Sequence, residues 1–332
     1  MKAIICTAYG SSDVLQLQQV EKPQPKADQT LIRVYATTVS RADLEIRSFR
    51  FSGLISIPLR LYFGLFKPRV RVLGEDFAGV VEQVGKNATS FSVGDRVCGT
   101  SGIGLGAYAE YICVGGANAT SVLAKIPPGM GFTEAAAIPY GGLEALGFLR
   151  KGNIQKGQKV LIIGAGGSFG TYAVQLAKYF GAEVTAVDSE GKMDILRAIG
   201  ADHVIDYTKQ DYTKLGEVFD LVFDVVCKIP LEQHLRLLRP GGTCLLANPQ
   251  NDHFLQGFRA NRKKDKKVVF GVERGSEENL KFLLELIRTG KIKPIIDRTF
   301  TLEEMVEAHR YAETEQKNGN IVITVRDENA DL

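Results

Sequence analysis

The chain has 332 residues, 45% of them hydrophobic and 24% charged, which is ordinary for a globular protein and excludes wholesale disorder. Its length corresponds to about two domains. Lysine and arginine number 41 against 38 acidic residues, a net charge of +3, too small a bias to imply a nucleic-acid partner.

Five cysteines (Cys6, Cys98, Cys113, Cys227 and Cys244) form no C-x-x-C pair and are odd in number. That argues against a disulfide framework and for a reducing, cytoplasmic setting. The opening M-K-A-I-I-C-T-A-Y-G lacks the apolar core of a signal peptide. The longest apolar stretch, 51–66, is broken by Pro58 and Arg60 and is shorter than the ~20 residues of a spanning helix. A soluble chain without a transmembrane segment is expected.

Residues 1–126 read as short strands, at 30–37, 76–84, 95–98, 107–114 and 122–125, separated by breaks such as G-T-S-G-I-G-L-G-A at 99–107. This pattern suggests an irregular β-barrel or sandwich. After P-P-G at 127–129 the texture changes: short apolar runs at 159–163, 183–187, 203–206, 220–226, 243–247 and 267–272 have the look of buried parallel strands. Helical patterns at 168–180, 192–199 and 231–238 lie between several of them, and Phe169, Ala173, Leu176, Ala177 and Phe180 share one face of the first. The α/β alternation over 127–272 predicts a doubly wound parallel sheet. The remaining residues, 273–332, hold a helix at 277–288 and strand-like pieces at 293–300 and 320–325, too little for a core of their own. They are expected to return to residues 1–126 and complete a discontinuous first domain.

The first strand of that sheet runs into V-L-I-I-G-A-G-G-S-F-G-T-Y-A-V-Q-L-A-K at 160–178. Gly164, Gly166, Gly167 and Gly170, with Ser168 and Phe169 among them, fall between a buried strand and a helix. Small residues there let the backbone approach a pyrophosphate held at the positive helix end. Asp188 closes the next strand and Ser189 follows it, which favours dinucleotide binding over an empty tight turn.

This stretch resembles the medium-chain dehydrogenase/reductase superfamily, and within it the zinc-free, quinone oxidoreductase-like reductases, whose members typically show G-A-S-G-G-V-G-T-x-A-V-Q-L-A-K. Further landmarks run end to end: P-x-P at 23–25, L-G-E-D-F-A-G-V-V at 73–81, V-G-D-R-V-C-G at 93–99 and A-Y-A-E-Y at 107–111. After these come A-A-A-I-P-Y-G-G-L-E-A-L at 135–146, L-R-x-I-G-A-D-H-V-I-D-Y at 196–207 and G-N-I-V-I-T-V at 319–325. The resemblance implies a GroES-like first domain, a Rossmann-type second domain, an active site in the cleft between them, and a homodimer paired through the strand at 267–272. It also implies NAD(P)H-dependent reduction of quinones or α,β-unsaturated carbonyls.

The zinc enzymes of the superfamily set a contrast, because a catalytic zinc needs three protein ligands, usually Cys and His. Their first Cys corresponds here to Ser40, and their G-H-E to G-E-D at 74–76, with Glu75 in place of His. All four histidines (His203, His234, His253 and His309) lie beyond residue 200, and the four-cysteine lobe is missing. No metal site is expected. A zinc-type alcohol dehydrogenase and a non-enzymatic nucleotide sensor are the rival readings.

The family's N-P-x-D segment, which lines the nicotinamide side of the cleft, is Ser40-Arg41-Ala42-Asp43 here. Ser40 offers a hydroxyl donor, and Asp43 either works in the site or caps the helix that follows. Tyr62 and Tyr140 are phenol donors or packed core residues; Arg47 either polarises a carbonyl or is solvated. Residues 48–71 lie where the family has a variable substrate loop, so their apolar side chains either wall a lipophilic acceptor site or pack a helix on the barrel. Two basic patches, seven cations against two anions at 41–71 and seven against three at 251–274, leave the rest of the chain mildly acidic. They read as solvated faces, with a phosphorylated or carboxylated substrate, an RNA or a membrane surface as the alternative. On the cofactor, Asp188 favours the ribose hydroxyls of NAD, whereas Lys192 and Tyr207 match positions that touch the 2′-phosphate of NADPH in similar reductases. Dual use, with NADH at least competitive, is the expectation.

Overall fold

A computed structural model describes residues 1–51, 56–116, 120–263, 265–271 and 275–328. The chain forms two compact units: Met1–Tyr140 with Gly275–Gly290 and Pro294–Leu332, and Gly141–Arg274 with Lys291–Lys293.

Unit 1 opens with an antiparallel pair, β1 (Lys2–Cys6) and β2 (Leu15–Gln19). The long β3 (Gln29–Val39) leads into the helices α1 (Arg41–Ser48) and α2 (Ser56–Phe63). The strands β4 (Asp76–Val84), β5 (Arg96–Thr100), β6 (Tyr111–Gly115) and β7 (Val122–Lys125) follow, then the short helix α3 (Phe132–Ala136). α4 (Pro139–Lys151) begins at the boundary with unit 2. Unit 2 contains β8 (Lys159–Ile163), α5 (Ser168–Tyr179), β9 (Glu183–Asp188), α6 (Met193–Ala198), β10 (His203–Asp206) and β11 (Phe219–Asp224). It continues with α7 (Leu231–Arg236), β12 (Leu238–Leu246), α8 (Asn251–Lys263) and β13 (Lys267–Phe270). The chain then returns to unit 1 with α9 (Glu277–Arg288), β14 (Ile296–Thr301), α10 (Met305–Glu313) and β15 (Asn320–Thr324).

The sheet of unit 1 has the order β14-β15-β3-β4-β5-β7, with β6 also paired to β3. The returning segment earns its place there by pairing, since β15 runs antiparallel to β3 with Ile321 opposite Val39. Residues 127–140, which the sequence pattern groups with the second domain, lie in unit 1. The reason is α3: the Phe132 ring stacks on Tyr35 at 4.4 Å and the Arg96 guanidinium lies over it at 4.3 Å.

Unit 2 is a six-stranded sheet of order β10-β9-β8-β11-β12-β13 with every pair parallel. Its inner strands β8, β9 and β11 are buried runs rich in Val, Ile, Leu and Phe, as expected when helices cover both faces. The order reverses between β8 and β11, and at such a switch point the carboxyl ends of the strands leave a crevice for a ligand. Core packing there centres on Phe223, fully buried and edge-on or tilted against Phe148 at 5.4 Å and Phe169 at 5.5 Å. Replacing Phe223 with Ala is expected to lower the unfolding free energy by about 3–5 kcal/mol, measured by urea denaturation; a loss below about 1 kcal/mol would show that these rings do not carry the packing of the switch point.

Candidate active site

The glycine loop follows β8 directly. Gly164 turns the chain at φ +77°, and its N–H donates to the Val187 carbonyl at 3.0 Å, tying the loop to β9. A Cβ on Gly170 would stand 2.2 Å from the Gly164 carbonyl oxygen, so only glycine lets α5 come this close to the loop. Gly167 is the N-cap of α5 and no side chain caps that end; a Cβ there would meet nothing within 4 Å. The positive end of a 12-residue helix with open space beside it fits a pyrophosphate. Ser168 begins α5 beside it. Phe169 is different, because its ring is buried against Phe148 and Phe223 and only its backbone faces the loop. One face of α5 must fill the core, and Phe169 is on it, as the apolar pattern of the helix requires.

Asp188, Ser189, Lys192 and Tyr207 are brought together at the ends of β9 and β10. Asp188 is buried and its carboxylate is already engaged. One oxygen accepts from the Gly166 N–H at 2.8 Å; the other accepts from the Ser189 N–H at 2.8 Å and lies 3.2 Å from the Lys192 ammonium. A Cβ on Gly166 would come within 2.4 Å of the Lys192 stem. Tyr207 stands exposed, with its N–H donating to the Asp188 carbonyl at 3.1 Å. Lys192 is thus held on Asp188, where the sequence pattern treats the two as independent.

In unit 1 the segment that replaces N-P-x-D forms a capping box. Ser40 is the N-cap of α1; its Oγ accepts from the Asp43 N–H at 3.2 Å and donates to Asp43 Oδ2 at 2.7 Å, and the Ser40 N–H donates to the same oxygen at 2.9 Å. Asp43 Oδ1 accepts from the Gly74 N–H at 3.1 Å, and the Tyr108 hydroxyl also bonds to this carboxyl. The two readings of Asp43 meet here, since it caps the helix and is the hub of a buried network. The Ser40 hydroxyl proton is committed to Asp43, so Ser40 as a free donor to substrate is corrected. Burial pushes the Asp43 carboxyl above its ordinary range, against the pull of those hydrogen bonds.

Behind this pair lies a chain of contacts that sequence reading missed. The His309 Nε2 lies 3.2 Å from the Tyr108 hydroxyl and its Nδ1 lies 3.3 Å from Arg47 Nη1. Arg47 has a fully buried side chain that also bonds Glu313, so it neither polarises a carbonyl nor sits in solvent. Because Arg47 can only donate, His309 accepts at Nδ1 and carries its proton on Nε2. Burial, and next the charge of Arg47, hold His309 down at about 3. The sequence signal was faint: a lone histidine on the apolar face that also carries Met305, Ala308 and Ala312.

Asp76, at the start of β4, is a second buried carboxyl of unit 1. Its Oδ2 accepts from the Tyr140 N–H at 3.0 Å, while its Oδ1 has no partner. Burial raises its pKa well above the ordinary value, and the neighbouring Asp43 pushes it the same way. Tyr140 is half-buried, and the Arg41 guanidinium lies close enough to the Tyr140 phenol for its charge to act on it. Tyr62 is placed elsewhere: it lies half-exposed on α2, and its hydroxyl donates to the Ile103 carbonyl at 3.4 Å. Asp43 and the Tyr140 backbone thus lie beside Asp76, with Ser40 held on Asp43. Among the described residues no group of three Cys, His, Asp or Glu side chains is arranged to hold a metal ion, nor is any helix long and apolar enough to cross a membrane. Of the proposed substrate loop, Leu54 and Ile55 lie outside the described residues.

Residues 26–128 match the alcohol dehydrogenase GroES-like domain family, and residues 199–323 match the zinc-binding dehydrogenase family. The chain is 33% identical over 335 residues to 2-methylene-furan-3-one reductase of Solanum lycopersicum, covering 97% of this chain and 79% of that one. It is 30% identical over 335 residues to the chloroplastic NADPH-dependent alkenal/one oxidoreductase of Arabidopsis thaliana, with the same coverage of 97% and 79%. The solved quinone oxidoreductase of Coxiella burnetii superposes with a TM-score of 0.87 at 29% identity, covering 98% of this chain and 99% of that one.

The low pKa of His309 has a measurable consequence. Its ordinary value is 6.5 and its folded value about 3, so between these pH values the unfolded chain binds the extra proton. This residue's contribution to stability is therefore present above pH 6.5 and is lost as the pH falls, with a slope of at most ~1.4 kcal/mol per pH unit. The raised pKa values of Asp43 and Asp76 work in the opposite sense. Comparison with a His309→Gln variant isolates the term: the wild type should lose more stability than the variant between pH 7 and pH 5, read by urea denaturation, and parallel curves would mean that His309 is protonated in the folded chain.

Proposed function

The chain belongs to the medium-chain dehydrogenase/reductase superfamily, in its quinone oxidoreductase-like branch, and from that premise we propose that it is an NAD(P)H-dependent reductase of quinones and α,β-unsaturated carbonyls. The observation that carries this reading is the state of the residue at the first zinc-ligand position. Ser40 stands there, and its hydroxyl donates to the Asp43 carboxylate and accepts from the Asp43 N–H in the cap of α1. Glu75 stands at the histidine position, and no histidine lies within residues 26–128. The match to the zinc-binding family begins at residue 199 and takes in neither position.

A site without thiolate or imidazole ligands has only hydrogen-bond donors to offer a developing oxyanion. Such donors suit an acceptor that is already activated by conjugation; a simple aldehyde needs stronger polarisation. The nicotinamide supplies hydride when bound. Gly164, Gly166, Gly167 and Gly170, with the first turn of α5, would hold its pyrophosphate, and Asp188, Ser189, Lys192 and Tyr207 would meet the adenosine ribose. In unit 1 the Tyr140 hydroxyl, under the charge of Arg41, is the phenol we assign to donate to the substrate oxygen, and the buried Asp76 accepts from the Tyr140 N–H and holds that backbone in position. Asp43 fixes Ser40 and the start of α1.

Two finer features follow. We assign a homodimer paired through β13, an edge strand bonded on one side to β12 beside exposed Leu255 and Phe258 of α8, because an uncovered edge with apolar neighbours invites pairing. Free thiols at all five cysteines suit a reducing compartment such as the cytoplasm.

The test is NAD(P)H oxidation by purified protein against quinones, enones and simple aldehydes, alongside elemental analysis of protein prepared without a metal-affinity tag. Turnover of quinones and enones without stoichiometric zinc is expected; turnover of simple aldehydes alone with about one zinc per chain would revive the dehydrogenase reading. The Asp188–Lys192 pair makes a second prediction, on dual cofactor use. Asp188→Ser frees Lys192 and removes a like charge from the site of a 2′-phosphate. The ratio of kcat/KM for NADPH over NADH should rise about tenfold, equivalent to ~1.4 kcal/mol; an unchanged ratio would mean that Asp188 does not sense the ribose.

A further inference from the structure

α2 is a surface helix without a polar side. Its inward residues Leu59 and Phe63 pack on the core of unit 1 with Phe49 and Leu73. Its outward residues Ile57 and Leu61 are 61% and 57% exposed. A surface helix ordinarily turns its charged residues to water. The single charged residue of this helix, Arg60, is instead folded back: its guanidinium lies 3.7 Å from the Phe49 ring and 4.7 Å from the Tyr9 ring, and it donates to the Leu65 carbonyl at 3.0 Å.

The turn that follows is pinned as firmly. The Gly64 N–H donates to the Arg60 carbonyl at 2.9 Å, the Arg69 N–H to the Phe63 carbonyl at 2.7 Å, and the Tyr9 hydroxyl to the Gly64 carbonyl at 2.9 Å. Held in this way, Leu65 is 52% and Phe66 is 92% exposed. The apolar tip is a fixed feature of the backbone.

Charge decides what would cover it. No acidic residue occurs anywhere from Ile46 to Gly74. Lys67, Arg69 and Arg71 border the tip, all three are exposed, and none forms an ion pair among the described residues. We propose that this tip docks on an anionic lipid surface, with Leu61, Leu65 and Phe66 entering the acyl boundary and Lys67, Arg69 and Arg71 meeting the headgroups. Apolar insertion flanked by cations is the combination that interfacial membrane binding uses. An RNA would satisfy the cations and stack a base on Phe66, but would leave Leu61 and Leu65 in water. The docking stands independently of the reductase reading.

Vesicle flotation tests it. The full chain should float with phosphatidylcholine vesicles that contain phosphatidylglycerol, not with phosphatidylcholine alone, and should be released by high salt. A Leu61→Ser/Phe66→Ser variant should lose roughly tenfold in binding at low salt. A Lys67→Glu/Arg69→Glu variant should bind anionic vesicles equally poorly, yet keep the wild-type melting temperature and the wild-type reduction of a small water-soluble enone. Absence of flotation with either vesicle, or variants that float like the wild type, would overturn the proposal. Failure of every acceptor in solution, with flotation intact, would count against the reductase reading alone.

Discussion

One carboxyl group, that of Asp43, joins three stretches of unit 1 that are far apart in sequence. It accepts from Ser40 at the head of α1, from the Gly74 backbone ahead of β4, and from Tyr108, which leads on to His309 and Arg47. Burying an unpartnered carboxyl costs several kcal/mol, and it is tolerated only where donors converge. Each donor is therefore fixed by the need to satisfy Asp43, and the position of Ser40 is a consequence. The same constraint explains Arg47: a buried guanidinium needs a partner, and Glu313 of α10 supplies it while a neutral His309 fills the gap to Tyr108.

Unit 2 uses a carboxylate in a different way. Asp188 is satisfied by the backbone of the glycine loop and by Lys192, so the loop is shaped before any ligand arrives. A preformed loop lowers the ordering cost of binding. The arrangement also means that the recognition of a ribose or a 2′-phosphate begins from an existing ion pair, whose partners must be shared or parted. The preference between the two dinucleotides is then a competition inside the protein as much as a contact with the ligand.

Elements whose pattern depends on local periodicity were legible in the sequence. β4 at Asp76–Val84, β8 at Lys159–Ile163 and α9 at Glu277–Arg288 have the bounds that apolar periodicity sets, and the glycine loop lies between β8 and α5 as its spacing requires. Less legible was whatever depends on a distant partner. β1 and β2 were not anticipated: β2 reads L-Q-L-Q-Q, with no continuous apolar run, and β1 is fixed by pairing with it. Phe169 was legible on its helix face, but not its partners Phe148 and Phe223, which receive the ring. Arg47 and His309 carry no local sign of their pairing, for they lie 262 residues apart. The exposed apolar face of α2 was the reverse case, visible as an apolar stretch whose two sides could not be told apart until Phe63 and Leu61 were seen to point opposite ways.

The central claim is conjugate hydride transfer without a Lewis acid, and the position at which hydride arrives tests it most directly. Protein freed of metal by chelation would be given 4-deuterated NADPH and a small enone, and the product examined by NMR. Deuterium at the β-carbon of a saturated ketone, at a rate unaffected by chelation, is the predicted result. Deuterium at the carbinol carbon of an allylic alcohol, with activity lost on chelation and restored by zinc, would contradict it.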